Sequence, residues 1–298
     1  VSEGEPRASS PLVSTAWLAA NLASPKVRIV DIRGQVLPPG SVPRYLAQRA
    51  AYDASHVPGA HFLDWTRDIV DPTDSVPMQV APEKAFADAM VRLGIGGDTV
   101  VVAYDDYNHI FAGRLAWALR YYGHDAALIL DGGWSRWIAE ARPVSSDPPV
   151  HTAPGASFTP RVRPALRRTA DEVSRALGRP GALIVDARAP AQYAGQSSVA
   201  RRGGHIPGAR NVHYTRLVDA ATGQFRPEPE LAHAFEAAGI DVSHLPAEII
   251  VYCNSGVSCT TVLNAFRLLG RDDAAVYDGS WNEWGNDEGR PVTAGSDP

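Results

Sequence analysis

The chain has 298 residues, 45% of them hydrophobic, enough to bury two cores of ordinary domain size. A formal net charge of −5 at pH 7 gives no electrostatic ground for a nucleic-acid partner or an anionic membrane surface. Two cysteines are too few for a disulfide-stapled scaffold or a typical structural zinc site, no apolar run approaches bilayer length, and the first ten residues lack a signal pattern. The expectation is therefore a cytoplasmic protein with no metal, no cofactor and no membrane partner.

In chain order, the first half alternates strand-like and helix-like segments. Strands are expected near residues 27–32, 100–104 and 127–130, and helices near 82–93 and 112–122. Residues 141–164 are rich in Pro, Ser and Thr with little periodicity and read as a surface linker. The second half repeats the plan, with strands near 182–187, 248–252 and 274–277 and helices near 169–177 and 228–238. Thr169 and Glu172 have capping-box spacing, which marks a helix start. The alternation predicts an α/β fold in which each half is a mainly parallel sheet flanked by helices. The domains are placed at 11–143 and 165–298, with a linker over 144–164.

The most chemical stretch follows the apolar run Ile249, Ile250, Val251, Tyr252. A strand there would deliver Cys253 to a turn of small residues, Asn254, Ser255, Gly256, Val257 and Ser258. A helix then buries Val262, Leu263, Phe266, Leu268 and Leu269. A thiol at the carboxyl end of a strand and the N-terminus of a helix meets unpaired N–H groups and the positive end of a helix dipole, which lower its pKa. Gly256 lets the loop curl with its N–H groups inward, and Ser255 and Ser258 can donate to a sulfur anion or a substrate oxygen.

The sequence is also written twice. Val30-Asp31-Ile32-Arg33 recurs as Val185-Asp186-Ala187-Arg188, and His56-Val57-Pro58-Gly59-Ala60 as His205-Ile206-Pro207-Gly208-Ala209. Val102-Ala103-Tyr104-Asp105 matches Ile250-Val251-Tyr252-Cys253, and Asp131-Gly132-Gly133-Trp134 matches Asp278-Gly279-Ser280-Trp281. With these marks in register, and with residues 52–60 and 274–284 similar to the family's two signatures, the chain resembles the tandem rhodanese-domain sulfurtransferases along nearly its whole length. The resemblance implies two rhodanese-like domains. The second is catalytic through Cys253, and the first is silent because Asp105 holds the matching position.

For such a protein, the Cys253 thiolate would take the outer sulfur of a donor as a persulfide and pass it to a second nucleophile. The neutral loop resembles that of mercaptopyruvate users, so 3-mercaptopyruvate is the expected donor and thiosulfate the alternative. The acceptor would be a thioredoxin-like dithiol, a small thiol or cyanide. A non-enzymatic persulfide carrier is the rival of another class. By the resemblance, Ser255 would polarise the reacting sulfur or carbonyl and His56 would assist it. Asn254, Gly256, Val257 and Ser258 would line the substrate, Gln192 holds the place of one of the family's carboxylate-binding arginines, and either Arg201 or Arg202 would match the second, in a loop of different length. Gln192 is a departure, since a neutral amide brings no net charge. Arg188 lies beneath the loop, so it is counted on the substrate side, although it is expected to pair structurally with Asp186. Cys259 reads either as a buried filler or as a thiol that resolves an oxidised or sulfur-loaded Cys253. A phosphatase loop would need an arginine at the position Cys259 holds, which disfavours that chemistry.

Overall fold

The computed structural model describes residues 10–149 and 156–298. The chain divides into two compact units. Of the described residues, the first comprises 10–72, 80–149, 156–163 and 220–224, and the second 73–79, 164–219 and 225–298. The division falls at Arg163 and Pro164, and two short segments, Thr73–Gln79 and Ala220–Gln224, group with the unit opposite to the one their sequence position suggests.

The first unit runs β1 (Leu12–Val13), α1 (Thr15–Ala20), β2 (Val27–Asp31), β3 (Gly34–Val36), β4 (Tyr45–Ala47), α2 (Arg49–Ala54), β5 (His61–Phe62), α3 (Glu83–Arg92), β6 (Val100–Tyr104), α4 (Ile110–Tyr121), β7 (Ala127–Leu130) and α5 (Gly133–Ala139). Its five-stranded sheet has the order β1-β7-β6-β2-β5, all parallel, and β3 and β4 form a separate antiparallel pair. Parallel strands covered by helices on both faces must be apolar throughout. Accordingly Val101, Val102, Ala103 and Tyr104 of β6 are all buried.

The second unit runs β8 (Arg167–Arg168), α6 (Ala170–Ala176), β9 (Ala182–Asp186), α7 (Pro190–Tyr193), β10 (Arg210–Asn211), α8 (Glu228–Glu236), β11 (Glu248–Tyr252), α9 (Cys259–Leu268), β12 (Ala275–Tyr277) and α10 (Ser280–Trp284). Its sheet has the order β10-β9-β11-β12-β8, again all parallel, which read from the β8 edge is the first unit's order with each strand replaced by its repeat. Even the register is kept, for Asp31 pairs with Tyr104 and Asp186 with Tyr252. Both units are thus α/β sheets of one topology, as the repeat implied. Thr169 caps α6 in a complete capping box with Glu172.

The expected strands and longer helices are present. The two-residue strands, the β3–β4 pair and the shortest helices are additional, because elements this short carry no periodic signal. Helix α4 starts two residues earlier than periodicity suggested, because the Asp105 carboxylate accepts from the N–H groups of Phe111 and Ala112 and so satisfies donors of the first turn. The linker expectation needs correction over residues 156–163. There Arg161 and Arg163 donate backbone N–H groups to Tyr122 and Tyr121, and Phe158 is buried against Phe86 and His124. A Pro-rich composition hides this because one buried aromatic and two backbone bonds suffice to pin a segment. The middle of the linker, 150–155, lies outside the described residues.

Candidate active site

Both units carry the same buried frame beneath the loop that follows the central strand. In the second unit Arg188 donates to both oxygens of Asp186 at 2.6–3.1 Å and to the carbonyl of Gly204 at 2.7 Å. Its guanidinium lies 4.2 Å from the centroid of the Trp281 ring. Burial opposes the charge, but Asp186 and Tyr252 outweigh it and hold the guanidinium pKa above its ordinary value. In the first unit Arg33, Asp31, Ser55 and Trp134 repeat the arrangement, and the Tyr104 hydroxyl donates to Asp31 at 2.7 Å. A pairing present in both units serves the fold. Arg188 is therefore structural, and its place among substrate-side residues is corrected.

On this frame β11 ends at Tyr252 and Cys253 enters the turn, 1% exposed. Burial by itself would push the thiol up. Hydrogen bonds from the Cys259 thiol, the Ser258 hydroxyl and the backbone N–H groups of Ser255 and Cys259 outweigh burial and hold it down, from 9.0 to about 5. The sulfur is therefore a thiolate at neutral pH. Gly256, at φ +69°, supplies the left-handed residue that the curl requires, and Val257 packs inward beside it.

The loop is held from below by α10. Ser280 is fully buried at φ +53°, accepts from the N–H groups of Cys253 (3.2 Å) and Gly256 (3.0 Å), and donates to the Tyr277 carbonyl (2.7 Å). The N–H groups of Trp281 and Asn282 donate to the carbonyls of Cys253 and Asn254 at 3.0 and 2.9 Å. Sequence reading missed Ser280. The available signal was the contrast between Asp278-Gly279-Ser280-Trp281 and Asp131-Gly132-Gly133-Trp134, which places a hydroxyl only in the copy that bears the cysteine.

The remaining expected residues divide. Gln192, at the end of α7, accepts from the Asn254 side-chain amide at 3.3 Å, so it belongs to the loop's rim, and the Asn254 Oδ1 is buried without a partner. Ser255 is 5% exposed and touches the sulfur through its N–H. Arg201 is exposed, and its backbone N–H donates to the Asn286 side chain at 2.9 Å. Arg202 does not serve as a free clamp, because its guanidinium donates to the carbonyls of Trp284, Gly285, Asp287 and Arg290. That call is corrected: four carbonyls already satisfy the fork.

His56 is likewise engaged within its own unit. Its Nδ1 lies 2.8 Å from the Tyr52 carbonyl and its Nε2 3.0 Å from that of Asp147, and the ring stacks on Tyr52 with centroids 4.0 Å apart. His205, its repeat, stacks on Tyr193 at 3.7 Å and uses Nδ1 in the same way. One geometry in both copies marks a turn-building histidine, so the assisting role is not carried forward.

In the first unit the loop after β6 closes on Asp105. Its Oδ1 accepts from Tyr107 and His109, and its Oδ2 from Phe111 and Ala112, all N–H groups at 2.8–3.0 Å. The cradle is intact and filled by a carboxylate. A cavity of about 500 Å³ in this unit, lined by Arg49, Tyr52, Phe62 and Arg92 among others, includes no residue of either loop. Among the described residues no His, Cys, Asp and Glu side chains group as around a metal ion, and no helix is long and apolar enough to cross a membrane.

Comparison with known proteins agrees with this geometry. The chain is 34% identical to the sulfur carrier protein TtuD of Thermus thermophilus, over 96% of this chain and 97% of that protein. It is 34% identical to thiosulfate sulfurtransferase of Rattus norvegicus, over 92% and 91%. Among solved structures, SseA of Escherichia coli, described as a 3-mercaptopyruvate sulfotransferase, superposes with a TM-score of 0.79 at 32% identity, covering 91% of this chain and 99% of that one. The rhodanese-like domain matches twice, at residues 14–140 and 169–287, and the protein therefore belongs to the rhodanese-like family.

Proposed function

We propose that the protein is a sulfurtransferase that moves a sulfane sulfur from 3-mercaptopyruvate to a thiol or cyanide acceptor through a Cys253 persulfide. The observation that carries this reading is the convergence of four hydrogen-bond donors on one buried sulfur at the carboxyl end of the central strand. The Cys253 thiolate attacks the donor sulfur, the carbon–sulfur bond breaks, and the thiol proton passes to the departing carbon, leaving pyruvate and a persulfide anion. An acceptor such as cyanide then takes the outer sulfur and restores the thiolate. With thiosulfate, the alternative donor, sulfite leaves instead. The Ser258 hydroxyl and the Ser255 N–H, both bonded to the sulfur, are the groups that polarise it. Gln192, Asn254 and exposed Arg201 are the polar groups offered to the donor's carboxylate.

Steady-state thiocyanate formation by wild type and Cys253→Ser, with each donor in parallel, tests the proposal. Faster turnover with mercaptopyruvate, abolished in the variant, is expected. Preference for thiosulfate would replace the donor, and equal rates in both proteins would overturn the mechanism. The 34% identity to a sulfur carrier protein favours a second reading, in which Cys253 accepts persulfide from a protein and hands it on. Slow turnover on both small donors with rapid loading from a protein persulfide would select it.

A further inference from the structure

Two thiols meet in this site, and sulfur transfer as described uses only one. Cys259 is the first residue of α9, fully buried, and both its thiol and its backbone N–H donate to the Cys253 sulfur. Neither cysteine is in a disulfide. A thiol in contact with a nucleophilic sulfur is a neutral donor only while that sulfur is an anion. Once Cys253 carries an extra sulfur, the inner sulfur has become the electrophilic half of a sulfur–sulfur bond, and the negative charge sits on the outer atom. The thiol already bonded to the inner sulfur is then Cys259, and the outer sulfur is a base that can take its proton.

We infer that Cys259 is an internal resolving thiol that discharges the Cys253 persulfide as hydrosulfide and leaves a Cys253–Cys259 disulfide. The inference rests on the reading of Cys253 as the sulfur-accepting nucleophile. The step balances without an added oxidant. The Cys259 sulfur bonds to the Cys253 sulfur, the bond to the outer sulfur breaks, and that atom departs with its electron pair and the Cys259 proton. The two cysteines are together oxidised by two electrons and the sulfane sulfur is reduced by the same two. A small or protein dithiol then reduces the disulfide by exchange and returns both thiols. The net result is release of the sulfane sulfur as sulfide through Cys259, with no external thiol attacking the persulfide. Burial favours the internal route, because neither thiol has to reach solvent before the disulfide forms.

The test is a single loading under anaerobic conditions. Reduced full-length protein receives one equivalent of mercaptopyruvate or thiosulfate with no acceptor, and pyruvate or sulfite, hydrosulfide and intact mass are followed together. Wild type is expected to release hydrosulfide in step with the donor's leaving group and to end lighter by two hydrogens, with Cys253 and Cys259 joined in the peptide map. Cys259→Ser, which keeps a hydroxyl donor, is expected to release the leaving group but retain the mass of one added sulfur. Wild-type protein that keeps the added sulfur, on either cysteine, overturns the inference even if the variant folds poorly. Absence of any leaving group in either protein instead overturns the sulfurtransferase reading on which the inference rests.

Discussion

The loop from Asp105 to Phe111 and the loop from Cys253 to Cys259 occupy the same place in two copies of one sheet, yet they treat an anion differently. In the first, four backbone N–H groups close on a carboxylate that is part of the chain, so the cradle is permanently occupied. In the second, two N–H groups, a hydroxyl and a thiol close on a sulfur that can change its bonding partner. The difference extends to the support. Ser280 braces the cysteine loop with its hydroxyl, whereas Gly133 occupies the matching position, where a Cβ would lie 2.1 Å from the Asp105 carbonyl oxygen. The anion-binding curl is thus a property of the fold. Only in the second copy is the anion held there a nucleophile, braced by a hydroxyl from another element.

Exchanging the anions tests this most severely. Cys253→Asp is expected to lower sulfur transfer on the order of 10⁴-fold or more, to the assay background, because a carboxylate cannot hold a sulfane sulfur. Circular dichroism should remain native, since the first loop already accommodates the same group. Next, Asp105→Ala leaves four buried N–H groups without their charged acceptor, and a loss of about 3 kcal/mol is expected in denaturant unfolding. Unchanged stability would mean that the carboxylate does not organise the loop.

The thiolate predicts a pH signature that the first unit cannot have. With Cys253 at about 5, single-turnover sulfur uptake should be flat near neutrality and fall about tenfold per pH unit below pH 5. The folded pKa is depressed from 9.0, so the linked stabilisation is full above pH 9 and is lost as pH falls toward about 5. A profile breaking near 8 to 9 would show that the donors do not reach the sulfur. Ser280→Ala removes the brace and keeps a side chain at positive φ, and should lower kcat about tenfold with a stability loss of about 2 kcal/mol. Ser280→Gly, matching Gly133, should recover part of the stability but not the rate. Equal behaviour of the two variants would reduce Ser280 to a backbone filler. Smallest is Gln192→Arg, expected to lower KM for mercaptopyruvate by a few-fold, about 1 kcal/mol, with kcat nearly unchanged. A raised KM would place the donor carboxylate elsewhere.

Much of this was legible before the structure. The duplicated marks implied two equivalent parallel sheets, and the strand, small-residue turn and helix around Cys253 pointed to the sulfur and to the Ser258 hydroxyl, but not to the two donors on Cys259. What failed was side-chain partnership. Arg202 and His56 look free in sequence because nothing local reveals that carbonyls from residues 284–290, or from Asp147, are folded onto them. Periodicity could assign a face to Cys259 but not a neighbour, since contact with Cys253 depends on how tightly the loop curls. Ser280 was hidden for the same reason, lying in a different element from the loop it braces.

The buried trios Asp31, Arg33, Tyr104 and Asp186, Arg188, Tyr252 give the molecule an internal reference. A variant at Arg188 that loses turnover is ambiguous by itself, because a broken buried ion pair can unfold a domain as readily as it can disturb a reaction. The same change at Arg33 imposes the same physical insult in the unit that carries Asp105 in place of the cysteine. Whatever damage the two share is architecture, and only the remainder belongs to catalysis.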